Sequence, residues 1–143
     1  MQIETKFHGS LEIKDNDKWS FPKGLPGFEE EKEFILLPIE GNNMFQVLQS
    51  ITTPAVAFIV ANPYTLIDDY SFDIDEPTIE LLGIQNPEDI MVLGVVSLKQ
   101  PFENSTINLQ APLIFQLNDR KAKQMILNDN RFDIRQPIDK GGN

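Results

Sequence analysis

Residues 54–61 read PAVAFIVA (Pro54–Ala61), and every side chain in this stretch is apolar. A run of this length is typical of a strand, because buried helices are usually longer. Successive side chains of a strand point to opposite faces of its sheet, so a run without alternation predicts a central strand buried on both faces. Ile90–Leu98 (IMVLGVVSL) has the same character and predicts a second central strand.

The sequence around these runs alternates between apolar and polar residues with the two-residue period of half-buried strands. In Leu66–Ile74, for example, Tyr70, Phe72 and Ile74 alternate with aspartates and a serine, which predicts a strand with an acidic outer face. Pro112 interrupts a third apolar stretch and predicts a bend or an edge there. Strands are also predicted within residues 2–7, 11–13, 19–21, 33–39, 44–49, 106–117 and 122–127.

One short helix is predicted near residues 76–82. Asp75 can accept hydrogen bonds from the free N–H groups at its start, Pro77 is tolerated in its first turn, and Gly83 suits the position after its end. These patterns predict an all-β fold, a barrel-like or sandwich-like antiparallel domain of short strands with this one helix. We expect a single domain over residues 1–138 and a flexible C-terminal tail at residues 139–143.

The charge of the chain is strongly acidic and unevenly distributed. Its 143 residues include 12 Lys and Arg and 22 Asp and Glu, which gives a formal net charge of −10. Residues 51–100 carry eight of the acids and a single base, Lys99. Such a field repels phosphate and anionic membranes, so we expect no direct nucleic-acid or membrane partner. Concentrated acids favour a basic protein partner, although solubilisation is the commoner reason for surface acids.

The sequence contains no recognisable catalytic or cofactor motif. It has no cysteine and one histidine, His8, so it offers no thiolate, no multi-histidine metal site and no serine motif to pair with His8. Asp73-Ile74-Asp75 is only a fragment of a calcium loop. We therefore expect a non-enzymatic binding protein without cofactors. The absence of a signal peptide and of a long apolar run predicts a cytoplasmic location.

Four segments carry a recognisable pattern. Phe21–Glu29 (FPKGLPGFE) fits F-x-x-G-[IL]-P-G-F-E, and Asn62–Phe72 fits N-P-[YF]…D-Y-x-F. Asn108–Ile114 (NLQAPLI) and Gln124–Leu127 (QMIL) are the third and fourth segments of the pattern along the chain. Together they resemble the FliW family of flagellar assembly factors over almost the whole chain. Gln116 and Ala122 replace the Asn and Gly that the family often has. These two differences bear on the geometry of the local turns and not on the resemblance itself.

The resemblance implies a non-enzymatic, barrel-like cytoplasmic protein of flagellated bacteria. Members of this family bind the translational repressor CsrA and antagonise it, which permits flagellin synthesis. They also bind flagellin. Unsecreted flagellin captures the FliW protein and frees CsrA to silence the flagellin message, so the two partnerships form a feedback loop.

The candidate CsrA-binding site combines the acidic stretch with two neighbouring tyrosines. CsrA binds RNA and must carry a basic surface, which an acidic module complements. Tyr64 and Tyr70 are candidate aromatic anchors, although both rings could instead belong to the core. The candidate carboxylates are Asp68, Asp69, Asp73, Asp75 and Glu76.

The candidate flagellin-binding site is an apolar surface, because the terminal regions of flagellin form amphipathic helices in the filament. Its candidates are Leu25 and Phe28, beside a predicted type II turn at Pro26-Gly27, and Phe102. The alternative, which the loop pattern favours, is that Leu25 and Phe28 pack into the core. Two other classes of protein stay open at this point: an acidic carbohydrate-binding β-protein, and a structural part of the flagellar export apparatus.

Overall fold

Short strands dominate the computed structural model, which describes residues 1–138. The predicted tail at residues 139–143 lies outside the described residues. Two α-helices, α1 (Pro63–Leu66) and α2 (Glu76–Leu82), and three single 3₁₀ turns accompany the strands of this part of the chain. The strands are β1 (Gln2–Glu4), β2 (Ser10–Glu12), β3 (Trp19–Ser20), β4 (Glu33–Ile39), β5 (Asn42–Ser50), β6 (Ala57–Ala61), β7 (Ile90–Ser97), β8 (Thr106–Ile107), β9 (Leu113–Gln116), β10 (Lys121–Gln124) and β11 (Gln136–Pro137).

The main sheet closes on itself. Its order is β11-β8-β7-β6-β5-β4-β3-β10-β9, and β9 pairs back onto β7 to complete a barrel. All pairings are antiparallel except a single residue pair between β3 and β10, which run parallel. The all-β, barrel-like fold class is therefore confirmed. Neither helix of residues 1–138 has the length and apolar character needed to cross a lipid bilayer.

Aromatic side chains fill one large part of the core. Trp19, Phe21, Phe34 and Phe115 are buried together with leucines of β5, β7 and β9. Their rings meet edge to face, with centroids 4.9 Å apart for Trp19 and Phe115 and 5.0 Å apart for Phe21 and Phe34. Edge-to-face packing places the positive ring edge on the negative ring face and adds to the gain from burying apolar area.

Two elements cover the outside of the sheet. The β1–β2 hairpin places Ile3 and Ile13 on the outer side chains of β4 and β5. Helix α2 places Leu82 against Ile114 of β9 and Met125. Because these outer faces are covered, the strands beneath them carry apolar residues on both sides, and the period-2 alternation is lost there.

Strand β7 changes partner along its length. Its first half, Ile90–Leu93, pairs with β9, and Val96 and Ser97 pair with β8 on the same edge. Gly94 lies at the change, where an added Cβ would come 2.8 Å from Cδ1 of the buried Ile107. The glycine thus allows the two strand segments to approach closely.

Helix α2 confirms the prediction for residues 76–82. The Asp75 Oδ1 accepts a hydrogen bond from the Thr78 N–H at 2.9 Å, and Gly83 closes the helix in the left-handed conformation with φ +67°. The central strand predicted at Pro54–Ala61 is shorter, because Pro54 and Ala55 lie in a turn before β6. It is central, since β6 pairs with both β5 and β7.

Two strand predictions are wrong. Leu66–Ile74 is not a strand, because Asn62 caps helix α1 and the chain then runs irregularly to Asp75. The 106–117 stretch is split into β8 and β9 by the loop 108–112, which includes Pro112. In the second stretch Pro112 has no backbone N–H to donate to a continuous ladder.

Candidate functional site

The five candidate carboxylates lie on one exposed segment. Residues 67–75 cross the surface between α1 and α2 without regular secondary structure, and Glu76 begins α2. All five acids are exposed to solvent: Asp68, Asp69, Asp73, Asp75 and Glu76. Asp69 adopts a left-handed backbone with φ +60°, a conformation that Asp and Asn tolerate better than most residues. The structure thus places these carboxylates on one continuous stretch of surface.

Bases from the C-terminal third lie beside this segment, which the sequence did not reveal. Arg131 donates through Nε and Nη2 to the carboxylate of Asp129, with a closest distance of 2.7 Å. Arg131 and Asp73 line the same concavity, and the positive charge of Lys123 contributes to lowering the pKa of Asp75. The Asp129 carboxylate raises the pKa of Arg131, so this base stays charged. The acidic segment is therefore partly neutralised by its own fold.

Asp75 is exposed and also caps helix α2. Its carboxylate accepts a hydrogen bond from the Thr78 N–H at the first turn of α2, and its interaction with Thr78 holds its pKa below the usual range. A charged acceptor at this position satisfies a free N–H group and complements the positive end of the helix. Among the candidate acids, Asp75 is thus the one that also caps a helix.

The two candidate tyrosines have different environments. Tyr64 in α1 is 49% exposed, and its ring centroid lies 5.6 Å from that of Tyr70. Tyr70 is only 5% exposed, and its hydroxyl donates to the Leu109 carbonyl at 2.8 Å. Burial raises the pKa of both phenols, and more strongly that of Tyr70. Tyr70 is a core residue that supports the segment, whereas Tyr64 is accessible to a partner.

An apolar cleft lies directly beside the acidic segment. It consists of two adjoining concavities of about 430 and 520 Å³ that share Phe72, Ile74, Pro87 and Ile90. These shared residues are half-buried, apart from the exposed Pro87. The remaining lining comes from Asn62, Tyr64, Asp73, Ile79, Ile84, Gln85, Asn86, Met91 and Val92. No lysine or arginine of residues 1–138 lines it.

Sequence reasoning missed this cleft because it assigned Phe72 and Ile74 to the buried face of a strand. Their alternation with Ser71 and Asp73 is real, but the segment is irregular and leaves both side chains half-buried. The alternation could have indicated the cleft, because it places apolar side chains on one side of the segment and acidic side chains on the other. The structure thereby joins the acidic segment to an apolar concavity.

The three flagellin candidates do not form one surface. Leu25 is only 3% exposed and packs in the aromatic core, so it is not available to a partner. The tight turn explains this: Gly27 has φ +84°, and the Phe28 N–H donates to the Leu25 carbonyl at 2.7 Å. Phe28 is 40% exposed and touches Phe58, while Phe102 is 48% exposed and touches Phe45.

The residues considered for catalysis, sugar binding or metal binding do not form such sites in residues 1–138. His8 hydrogen-bonds through Nε2 to the Pro38 carbonyl at 2.7 Å. Trp19 is buried under the Arg120 guanidinium, which lies 4.1 Å from its ring centroid, so it cannot stack on a sugar. Within residues 1–138, no three His, Asp or Glu side chains come together in an arrangement that could hold a metal ion.

Comparison with known proteins identifies the family of this barrel. The family model described as "FliW protein" matches residues 2–138. The chain belongs to the FliW family. A flagellar assembly factor FliW of Bacillus licheniformis is 44% identical over 138 residues, which cover 96% of each chain. The FliW of Clostridium novyi is 43% identical over 142 residues, with 99% of each chain covered.

A solved structure supports the same assignment. The crystal structure of a flagellar assembly factor FliW matches this chain with a TM-score of 0.94 and 35% sequence identity, and each chain is covered completely. The closed barrel described above is therefore the FliW fold. The resemblance inferred from the four sequence motifs is confirmed, and the chain is a FliW-family flagellar assembly factor.

Proposed function

We propose that this FliW protein is a cytoplasmic, non-enzymatic regulator that binds CsrA and flagellin in turn. By binding CsrA it relieves the repression of flagellin synthesis, and accumulated flagellin withdraws it from CsrA. The observation that carries the proposal is the exposed acidic segment 68–76 beside an apolar cleft. An RNA-binding partner must present basic side chains, and these complement exposed carboxylates.

The proposed mechanism has an electrostatic part. A body with a net charge of −10 held next to an RNA site repels phosphate through space, even where it does not cover the bases. The repulsion reaches about 8–10 Å at physiological salt, so docking must be close to the RNA site. We place the docking contact at Asp68, Asp69, Asp73, Asp75 and Glu76, with Tyr64 as the accessible aromatic anchor.

Calorimetry with CsrA tests this docking contact. The test variant is Asp69→Asn with Asp73→Lys, because Asn tolerates the left-handed backbone at position 69 better than lysine does. The control is Glu40→Gln with Glu103→Lys, which makes the same charge change at two exposed acids outside the segment. Exposed charge pairs are worth about 0.2–1 kcal/mol each, so for the two substituted acids we expect about 2–30-fold weaker CsrA binding at low salt.

The effect should shrink at high salt, because screening removes interactions between exposed charges. The control variant should change the affinity less than about twofold. Unchanged CsrA affinity of the test variant at low salt would contradict docking through this segment.

Flagellin binding is proposed at the exposed apolar rings, now reduced to Phe28 and Phe102 by the burial of Leu25. Hydrogen exchange of the full chain with and without flagellin is the appropriate measurement. We expect slower exchange in residues 25–31 or 98–105. If neither segment is protected, both rings are excluded as flagellin contacts.

A further inference from the structure

The wall of the barrel contains a gap between β6 and β7. The pairing of these strands runs from Ile59 opposite Val96 to Ala61 opposite Gly94, and it stops there. Continuing the same register would bring Val92 opposite Pro63. Pro63 has no N–H to donate and is instead the first residue of α1. Residues 90–93 of β7 thus have no strand partner on this edge within residues 1–138.

The hydrogen-bond pattern determines which backbone groups point into the gap. On the opposite edge of β7, the Leu117 N–H donates to the Asp89 carbonyl at 2.8 Å, and the Asn108 N–H donates to the Val95 carbonyl at 2.9 Å. Backbone groups of an antiparallel strand point to the two edges in alternation. Residues 89, 91, 93 and 95 therefore face β9 and β8, and residues 90 and 92 face the gap.

Three backbone groups are available there for a new ladder. The Ile90 N–H already donates to the Pro87 carbonyl, which ends the 3₁₀ turn before β7. The Ile90 carbonyl and both the N–H and the carbonyl of Val92 remain directed at the gap. Backbone polar groups form hydrogen bonds wherever they are buried, so covering this edge with an apolar surface alone would be costly.

The surroundings of this edge define what could pair with it. Ile90, Met91 and Val92 line the same concavity as Tyr64, Phe72 and Ile74, so alternate side chains of an added strand would meet apolar groups. Two exposed carboxylates lie near it: Asp73 lines the adjoining concavity, and Glu88 directly follows Pro87, which lines both. The described part of the chain contributes no basic side chain to its lining.

We propose that this gap binds an extended segment of a partner protein as an added β-strand paired with Ile90–Val92. The segment would carry apolar residues at alternate positions and lysine or arginine between or beside them. One of its residues would exchange two hydrogen bonds with Val92, and a further N–H would donate to the Ile90 carbonyl. Main-chain bonding gives affinity in this mode, and the side-chain pockets give specificity.

A docked helix fits these observations less well. An amphipathic helix would fill the apolar concavity, but its own backbone groups are already paired, so the Val92 groups would be covered without partners. An extended segment satisfies them. This inference rests on the proposed role as a protein-binding module, and it specifies the form in which the partner is recognised.

Amide hydrogen exchange of the free protein gives the first test. The Val92 amide should exchange faster than the Met91 and Leu93 amides, which face β9 in the closed barrel. We expect a difference of at least about tenfold, measured residue by residue by NMR. A Val92 amide protected as well as its two neighbours would overturn the proposal.

A synthetic peptide gives the second test. The probe is an acetylated and amidated heptapeptide of alternating lysine and valine, compared with the same peptide carrying N-methyl groups on its valines. We expect the unmodified peptide to slow Val92 exchange at least about tenfold at saturation. The methylated peptide has the same charge but lacks these donors, and we expect no such effect. Equal effects of both peptides, or no binding of either, would overturn the proposal.

Charge variants separate this inference from the proposed function. Asp73→Lys with Glu88→Lys should weaken peptide binding at low salt, and Glu40→Lys with Glu103→Lys should not. If CsrA binding depends on the acidic segment while Val92 exchange never changes, the regulatory proposal stands and the strand proposal fails. If the peptide protects Val92 while CsrA does not bind, the strand proposal stands and the choice of partner fails.

Discussion

Single residues of the 64–76 segment differ in what they contribute. Tyr70 is anchored by its hydroxyl bond to Leu109 and by ring contacts with Phe72 and Phe132, so it positions the segment from below. Asp75 fixes the end of the segment by capping α2. Asp69 and Tyr64 are exposed to solvent. Substitutions of Tyr70 should affect stability, substitutions of Asp69 and Tyr64 should affect binding, and substitutions of Asp75 should affect both.

Asp75 should show a pH-dependent contribution to stability. The folded-state pKa is lowered by the interaction with Thr78, so the carboxylate stabilises the fold above the unfolded pKa of about 4. This stabilisation is lost as the pH falls through the folded pKa. Asp75→Ala should cost about 1 kcal/mol at pH 7, while Asp75→Asn should keep most of the cap.

Urea unfolding at pH 7 and pH 3 measures this difference. The stability of the native chain should fall further between the two pH values than that of Asp75→Asn, because asparagine does not titrate. Identical pH dependence of the two proteins would show that ionisation of the capping carboxylate does not contribute to the free energy of unfolding.

Elements of the fold are joined by a few buried polar side chains. Gln116 on β9 donates from Nε2 to the Leu82 carbonyl at the end of α2, at 2.9 Å. Its Oε1 accepts from the Asp119 N–H at 2.8 Å, which fixes the turn into β10. One buried amide thus links the helix, strand β9 and the following turn. Asparagine, which the family often has here, is one methylene shorter, so the sequence left the geometry of this turn open.

Gln116→Ala should destabilise the protein by about 2–3 kcal/mol, because it leaves the buried Leu82 carbonyl without this partner and also removes the part-buried bond from the Asp119 N–H. The free energy of unfolding in urea measures the loss. Gln46→Ala is the matched control, since Gln46 is half-buried on β5 and its side chain makes no hydrogen bond within residues 1–138. Equal losses for both variants would mean that the Gln116 bonds add no stability.

The whole molecule determines the field at the acidic segment. Arg131 and Lys123 are far from residues 68–76 in sequence, yet in the barrel Arg131 shares a concavity with Asp73, and the charge of Lys123 acts on Asp75. Their charges oppose the attraction of a basic partner. The strength of docking is therefore a property of the assembled fold and not of the acidic segment alone.

Arg131→Gln should accelerate association with CsrA about twofold at low salt, because it removes a positive charge that shares a concavity with Asp73. Lys14→Gln makes the same change in net charge on an exposed residue of another surface and should have a smaller effect. Stopped-flow association at low and high salt is the measurement. Equal acceleration by both variants would show that only net charge matters.

The amino-acid sequence by itself determined the class of the fold and its local features. Strand periodicity, the caps of α2 at Asp75 and Gly83, and the Pro26-Gly27 turn depend on backbone preferences within a few residues, so they are readable from the chain. The four motifs in order identified the family. The lack of cysteine and the single histidine limited the available chemistry through composition alone.

Only the tertiary structure decided which of these residues meet and which face solvent. Closure of β9 onto β7, burial of Leu25 and Tyr70, and the approach of Arg131 to Asp73 all join residues distant in sequence. The gap at Val92 arises in the same way. Pro63 begins α1 and so ends the pairing between β6 and β7, although Pro63 and Val92 are far apart in the sequence. Such contacts depend on long-range packing and register, and local preference does not specify them.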